Sequence, residues 1–443
     1  MPRRPILLWL LPALAACQPP ASFDGPLTPA EHPVLVGGGG CLSPSWRIIQ
    51  FGSAGDDVAV DVGLDADCDL FVAGTTLGVL EEGSVTRGQF QDAFVASLDA
   101  SAQPRWLRQY GSAWDDTVKG LAVSPEGDTY VVGSTPLAMP GAVNLGQGDA
   151  FVIKHGPGGA LDWVVQRGSA EEDTGLGVAL SRDGRHVFLA GGTMEKPDVS
   201  FDMSIEVLEA GDGTVLEARR HGTAGHDRAE AVAVSAEGSV VLVGATLGGF
   251  ASANAGSFDA FLAHLDPTLG LTWARQPATP DIDAGLKVVI APDGSILMLA
   301  LSFSDLATGR GENDGLSSAF LLKYDPMGRL LWAQRVGSPH ELHRASGLAV
   351  DGHGAIYVAG GTHGAMDGPN QGGRDAFVVK YDAHGARLWA RQLGTPGMDE
   401  AHAVALTRAG DVVIAGYTTG QLGSAHAGGQ DVFVARFNSR GQQ

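Results

Sequence analysis

A segment of about 57 residues is written seven times along this chain, and a fixed period of that length means one supersecondary unit stacked on itself. The clearest copies begin Trp106-Leu-Arg-Gln-Tyr-Gly111, Trp332-Ala-Gln-Arg-Val-Gly337 and Trp389-Ala-Arg-Gln-Leu-Gly394. Each is followed at a fixed distance by two short apolar runs and then an Asp-Ala-Phe-Val block. No helical periodicity is present, and the chain carries 64 glycines. Short β-branched and aromatic runs between glycine-containing turns indicate an all-β chain.

One copy shows the plan. Val118–Val123 leads to a turn at Pro125-Glu-Gly127, and Thr129–Val132 returns from it. Asp149–Lys154 and Leu161–Gln166 follow, so each unit is a four-stranded antiparallel meander. The first turn places glycine at 127, 184, 238, 294, 354 and 410, as a position of positive φ requires. Repeated four-stranded units close radially into a seven-bladed β-propeller, which protects sheet edges without a second domain. The phase of the repeat fixes how the ring closes. The first copy begins with a lone Trp46–Gly52 strand, and the last stops at Asp431–Phe437 with no Trp strand after it. The N-terminal strand is therefore expected to complete the last blade, giving a propeller over 46–441.

Cys68 stands where the other six units place the turn glycine. A Cβ at positive φ is costly, so a compensating bond is expected. The meander sets this turn on the same face as the start of an outer strand in the adjacent blade, just after Cys41. A Cys41–Cys68 disulfide pinning the latch is the expectation for an exported protein; the alternative is two free thiols.

The units resemble the bacterial β-propeller repeat family called SBBP, with its Trp-x-x-Gln-x-Gly strand, Val-x-Val-Ala-Gly-x-Thr strand and Asp-Ala-Phe-Val strand. The matching stretches are Val72–Thr75, Val358–Thr362, Asp92–Val95, Asp259–Leu262 and Asp375–Val378. The third unit departs most: Glu217 replaces Trp, Met203 stands at the Asp position beside Asp202, and Ile205 stands for Phe. The fifth unit has Ser318 for Asp. The apolar positions keep their character, so both units are expected to pack.

The first residues form an export leader. Arg3 and Arg4 precede an apolar run from Ile6 to Ala16. As a helix this run is about 16 Å long, roughly half a bilayer core, too short for a stable span. Leu14-Ala15-Ala16-Cys17 resembles the bacterial lipobox, which implies removal of 1–16 and diacylglycerol on Cys17; an ordinary secretory signal is the alternative. Residues 17–45 are a Pro- and Gly-rich tether. Gln18 lacks the Asp that signals inner-membrane retention in many lipoproteins, so an outer-membrane anchor is expected. The net charge of −21 becomes more negative once Arg3 and Arg4 leave. Such a surface repels nucleic acid and anionic headgroups.

Acidic pairs recur after the Trp strand, at Asp56-Asp57 and Asp115-Asp116, on the same blade end as Asp92 and Asp149. One reading is a calcium site; the other is that each Asp caps its turn by accepting backbone N–H bonds. Recurrence in nearly every blade favours caps, since a specialised site breaks its repeat. No other cofactor is indicated. Asp65, Asp67 and Asp69 begin like an EF-hand loop, but Leu70 occupies its obligatory glycine position, leaving a turn. His340-Glu-Leu-His343 is expected to be a surface loop rather than a metal site. The repeated Trp residues favour packing between blades over sugar stacking. Nucleophile-elbow, zincin, Cys-x-x-Cys and Walker motifs are missing. The expectation is a monomeric, non-catalytic envelope lipoprotein whose propeller binds envelope or extracellular protein or polysaccharide. The alternative is a polysaccharide hydrolase or lyase using Asp115, Asp116 and Glu172 as acid and base.

Overall fold

The structure is a computed structural model that describes residues 42, 46–81, 90–194, 200–309, 316–338, 341 and 343–443. It contains 28 strands in seven four-stranded antiparallel sheets, each sheet one blade, and no helix occurs among the described residues. In the first blade β2 (Asp57–Leu64) is innermost, followed outward by β3 (Leu70–Thr76), β4 (Asp92–Leu98) and β5 (Pro104–Tyr110). Every residue of β3 and β4 is buried. Both faces of these strands lie against neighbouring blades, so the sequence shows continuous apolar runs there rather than alternation. The exposed start of β5 marks the rim.

The ring closes as the phase of the repeat requires. β1 (Ile48–Phe51) pairs antiparallel with the last strand, Asp431–Phe437, bringing Ile48 opposite Ala435 and Phe51 opposite Val432. Gln50 Nε2 donates to Asp431 Oδ2 at 2.8 Å and to Gly420 O at 2.9 Å, while its Oε1 accepts from Leu422 N. Gln109, Gln166, Gln276 and Gln392 make the same two-sided link in their own blades. The N-terminal strand is thus a full member of the repeat.

The tryptophans join one blade to the next. Trp106 Nε1 donates to Pro157 O, Trp163 to Ala210 O and Trp389 to Ser439 O, at 3.0 to 3.3 Å. The ring lies over the turn glycine of the next blade: a Cβ on Gly159 would come within 2.5 Å of Trp106. This contact fixes the angle between blades, as the packing reading of these residues requires. The first-turn glycines all have positive φ, and Cys68 shares it at 63°. Cys68 is buried and engaged rather than free, in one cluster with Trp46 and Leu42. Cys17 and Cys41 lie outside the described residues, as do 1–41 and His340.

The third blade corrects the alignment read from sequence. Thr193 pairs with Asp202, as Thr76 pairs with Asp92 and Thr135 with Asp149. Asp202 therefore holds the Asp position, Met203 the Ala position and Ser204 the Phe position. The reason is steric: the carboxylate must face the glycine that ends the outer strand, and Asp202 Oδ1 lies 2.1 Å from where a Gly222 Cβ would stand.

Gly159 and Gly184 separate the two demands made on a turn glycine. Both have positive φ, but no atom lies within 4 Å of a Cβ on Gly184. Gly184→Ala should cost about 1 kcal/mol from backbone strain alone. Gly159→Ala should cost about 2 kcal/mol more, because Trp106 must move. Urea unfolding of the two variants checks the difference.

Candidate functional site in the axial channel

Each innermost strand carries a one-residue β-bulge at the same height. The extra residue is Val60, Lys119, Leu176, Glu230, Leu286, Ser346 or His402 in successive blades. Bulges re-aim side chains and are common beside functional sites. The residue after the bulge is Gly120, Gly177, Ala231, Gly347 or Ala403 in five blades, because inner strands converge at the axis. A Cβ on Gly177 would lie 2.9 Å from the Ala231 Cα. In the other two blades this position is Asp61 and Lys287. These two reach across the channel, with Lys287 Nζ 3.9 Å from Asp61 Oδ2. All seven inner strands line a cavity of about 150 Å³, whose charged residues are Asp61, Lys119, Glu230 and Lys287.

The charges here are individual, not repeated. Arg228 holds Glu230 at 2.9 Å, and Gly192 leaves room for its side chain. Burial lowers the Lys119 ammonium pKa, against the opposing pull of Glu230. Nδ1 of His402 lies 3.0 Å from Ala59 O; donating there leaves Nε2 as an acceptor. Burial holds this imidazole below its ordinary pKa despite nearby Glu400. Arg374 pairs with Glu400, which also accepts from Tyr417 Oη at 3.3 Å, and Gly361 makes space for the pair. Lys119, Glu230, Lys287 and His402 were not singled out from sequence, whereas Glu400 belongs to the acidic pair Asp399-Glu400 that follows the Trp strand. The available signal was a charged or imidazole side chain inside an apolar run, as in Val118-Lys-Gly120, Ala229-Glu-Ala231 and Ala401-His-Ala403.

The candidate carboxylates of the sequence lie elsewhere and each accepts at least one hydrogen bond, while Asp116 Oδ1 and Asp149 Oδ1 are buried without a partner. Asp57 Oδ2 accepts from Ser53 N at 2.5 Å, and its Oδ1 accepts from the Thr76 hydroxyl. Asp116 accepts from Ser112 N at 2.5 Å, Asp149 from Leu145 N at 2.7 Å and Asp92 from Gln109 Nε2 at 3.0 Å. The paired acids Asp56 and Asp115 accept from Gln430 N and Gln91 N. Each therefore caps a turn or joins a loop. Among the described residues no three His, Cys, Asp or Glu side chains come together as a metal-holding group. Asp65 accepts from Asp67 N and Asp69 N, a plain turn. His343 departs from the expected surface loop. It is buried at the position of Asp57 and Asp116, taking Ser338 N on Nε2 at 3.1 Å and meeting Thr362 Oγ1 through Nδ1 at 2.8 Å. An imidazole can replace the carboxylate because both turn contacts remain available. Glu172 is half-buried, packed on Gly148, with its carboxyl pushed up by burial.

Burial raises the carboxyls of Asp57, Asp92, Asp149, Asp283 and Asp399, and pushes Asp116 up to about 6. At Asp431 burial acts the same way, but bonds from Ala427 N, Gln50 and His426 outweigh it and hold the carboxyl low. For Asp116 the folded chain binds the proton more tightly than the unfolded one. Its contribution is full below the unfolded value of 3.8 and is lost as pH rises through about 6. Asp116→Asn keeps an acceptor for Ser112 N and removes this titration. Relative to the parent, the variant should gain up to about 3 kcal/mol between pH 4 and pH 7. Parallel denaturant titrations at the two pH values read this directly.

Residues 105–135 match the family model described as a beta-propeller repeat, SBBP. Regulatory protein FlaEY of Caulobacter vibrioides is 34% identical over 173 residues, covering 35% of this chain and 18% of that protein. The uncharacterized WD repeat-containing protein L264 of Acanthamoeba polyphaga mimivirus is 32% identical over 115 residues, covering 23% of this chain and 8% of that protein. This chain thus spans only a small part of the curated relatives it matches. Among solved structures, polysaccharide lyase Uly1 is 11% identical with a TM-score of 0.49, covering 86% of this chain and 90% of that one. The Pan2 WD40 domain of Neurospora crassa is 10% identical with a TM-score of 0.47, covering 91% and 99%. The chain carries the SBBP beta-propeller repeat and builds from it a propeller of seven four-stranded blades.

Proposed function

We propose that this is a non-catalytic, lipid-anchored envelope protein whose propeller is a binding scaffold, with the axial channel as its point of recognition. One observation carries the binding site: the repeat is largely kept at the junctions, His343 and Ser318 apart, and broken from blade to blade at the inner-strand bulges. Lys119, Glu230 and His402 replace one another at a position where neighbouring blades place Val60, Leu176 or Ser346. Packing alone requires no such variety of charge. The partner class is envelope or extracellular protein or polysaccharide.

The anchor rests on the lipobox ending at Cys17, the Pro- and Gly-rich stretch to residue 45 and the exported character of the leader. No helix among the described residues is long and apolar enough to cross a membrane. The Cys41–Cys68 pairing gains support from Leu42, which is buried in the same cluster as Cys68. That pairing would fasten the start of the latch to the first blade.

The hydrolase or lyase reading is weaker. Asp116 is wholly buried under Ser112 and is not offered to a substrate; Asp115 is exposed, with Oδ1 holding Gln91 N, and would lack its paired acid.

Two variants test the proposal. Cys17→Ser should abolish palmitate incorporation and move the protein from the membrane to the soluble fraction; retention with label would contradict the anchor. A cross-linked envelope partner should be lost with Lys119→Met yet kept with Asp115→Asn, and the reverse pattern would contradict an axial site.

A further inference from the structure

We propose that the axial cavity binds a short-chain aliphatic carboxylate, gripped by the ammonium groups of Lys119 and Lys287. This deepens the reading of the axis as the recognition site and rests on it.

The charges lining the cavity are unequally satisfied. Glu230 is taken by Arg228 at 2.9 Å. Asp61 already accepts from Val62 N at 2.9 Å and Leu121 N at 3.1 Å, and Lys287 stands off it at 3.9 Å. Lys119 has neither an ion pair within 4.0 Å nor a hydrogen bond from its ammonium among the described residues. Lys119 therefore faces the cavity without a close anion, and Lys287, partly exposed, has only Asp61 at 3.9 Å, inside a chain of net charge −21. A charge held away from water requires a partner. A carboxylate supplies two acceptor oxygens and can serve both lysines at once.

The rest of the wall selects the tail. Leu176, Leu348, Val232, Val288 and Val404 line the same space, so an alkyl group is covered while the head meets the lysines. A volume of about 150 Å³ holds roughly five water-sized groups. That matches an acid of three to five carbons. Inorganic phosphate has the charge without the alkyl group, and formate has the head without the tail. Asp61 gates the site, because it competes with the ligand for Lys287.

The test is calorimetric titration of the full-length protein with butyrate, formate and inorganic phosphate, ionic strength held constant with chloride. Butyrate should bind with Kd of about 1 mM or tighter, and formate and phosphate should bind at least about tenfold more weakly. Lys119→Met and Lys287→Met should each weaken butyrate about tenfold or more, while Asp61→Asn should tighten it. Asp61→Asn guards against variants that simply misfold, since it predicts a gain. Butyrate binding of Lys119→Met and Lys287→Met equal to the parent would overturn the proposal, as would no butyrate binding by the parent. If the parent ignores butyrate but still captures an envelope partner in a Lys119-dependent way, the carboxylate inference fails and the scaffold reading stands. Loss of that capture dependence as well would remove both.

Discussion

The whole ring depends on what happens where one blade hands over to the next. There the chain leaves an outer strand, turns, and enters the next inner strand in a space with little room for water. The backbone N–H groups of that turn must still be bonded, and buried aspartates do this. Gly168 shows the geometry: a Cβ there would lie 2.0 Å from Asp149 Oδ1 and 2.6 Å from Asp173 Oδ2. Only glycine passes between the two carboxylates, one from its own blade and one from the next. The Gln of the same strand then ties the first carboxylate to the loop above it. Motif letters that read as a family signature are thus the parts of one hydrogen-bonded joint. Closure of the ring reuses that joint, with Gln50, Gly52, Asp57 and Asp431 drawn from opposite ends of the chain.

The same joint explains what the sequence made legible. Trp106, Gln109, Gly111 and Asp92 recur in most blades because the joint is built from them, so counting their period was enough to place strands, turns and the latch. Cys68 was recognised from its place in that period, and its φ of 63° agrees. Position within a departing unit was harder. In the third blade, Asp202 and Met203 were exchanged by one residue, because without Phe in the motif only strand pairing shows which one faces Gly222. His343 was placed on the surface because a histidine in an acidic position suggested a loop, whereas its two ring nitrogens reproduce the contacts of a carboxylate.

The channel was illegible for a different reason. A β-bulge adds one residue to a strand without altering the turns at either end, so Lys119, Glu230 and His402 looked like blemishes in apolar runs. Only the register between first and second strands shows that they share one height, and of the three Lys119 and Glu230 line the axial cavity. The rim and junctions repeat in most blades because they build the joint, whereas the axis varies from blade to blade, with Asp61 and His402 each bonded to the backbone of a neighbouring blade. Carboxylates at the junction are numerous and bonded through Oδ2, with the Oδ1 of Asp116, Asp149, Asp227, Asp259, Asp375 and Asp431 buried and unpaired; charges at the axis are few and incompletely matched.

The most direct measurement is a thermal melt of the protein with millimolar calcium and with EDTA. If the recurring carboxylates are spent on backbone N–H groups, the two midpoints coincide. A native-state ligand would instead stabilise by mass action. A rise of several degrees with calcium, abolished by EDTA, would make the junctions ion sites and contradict this account of what holds the blades together.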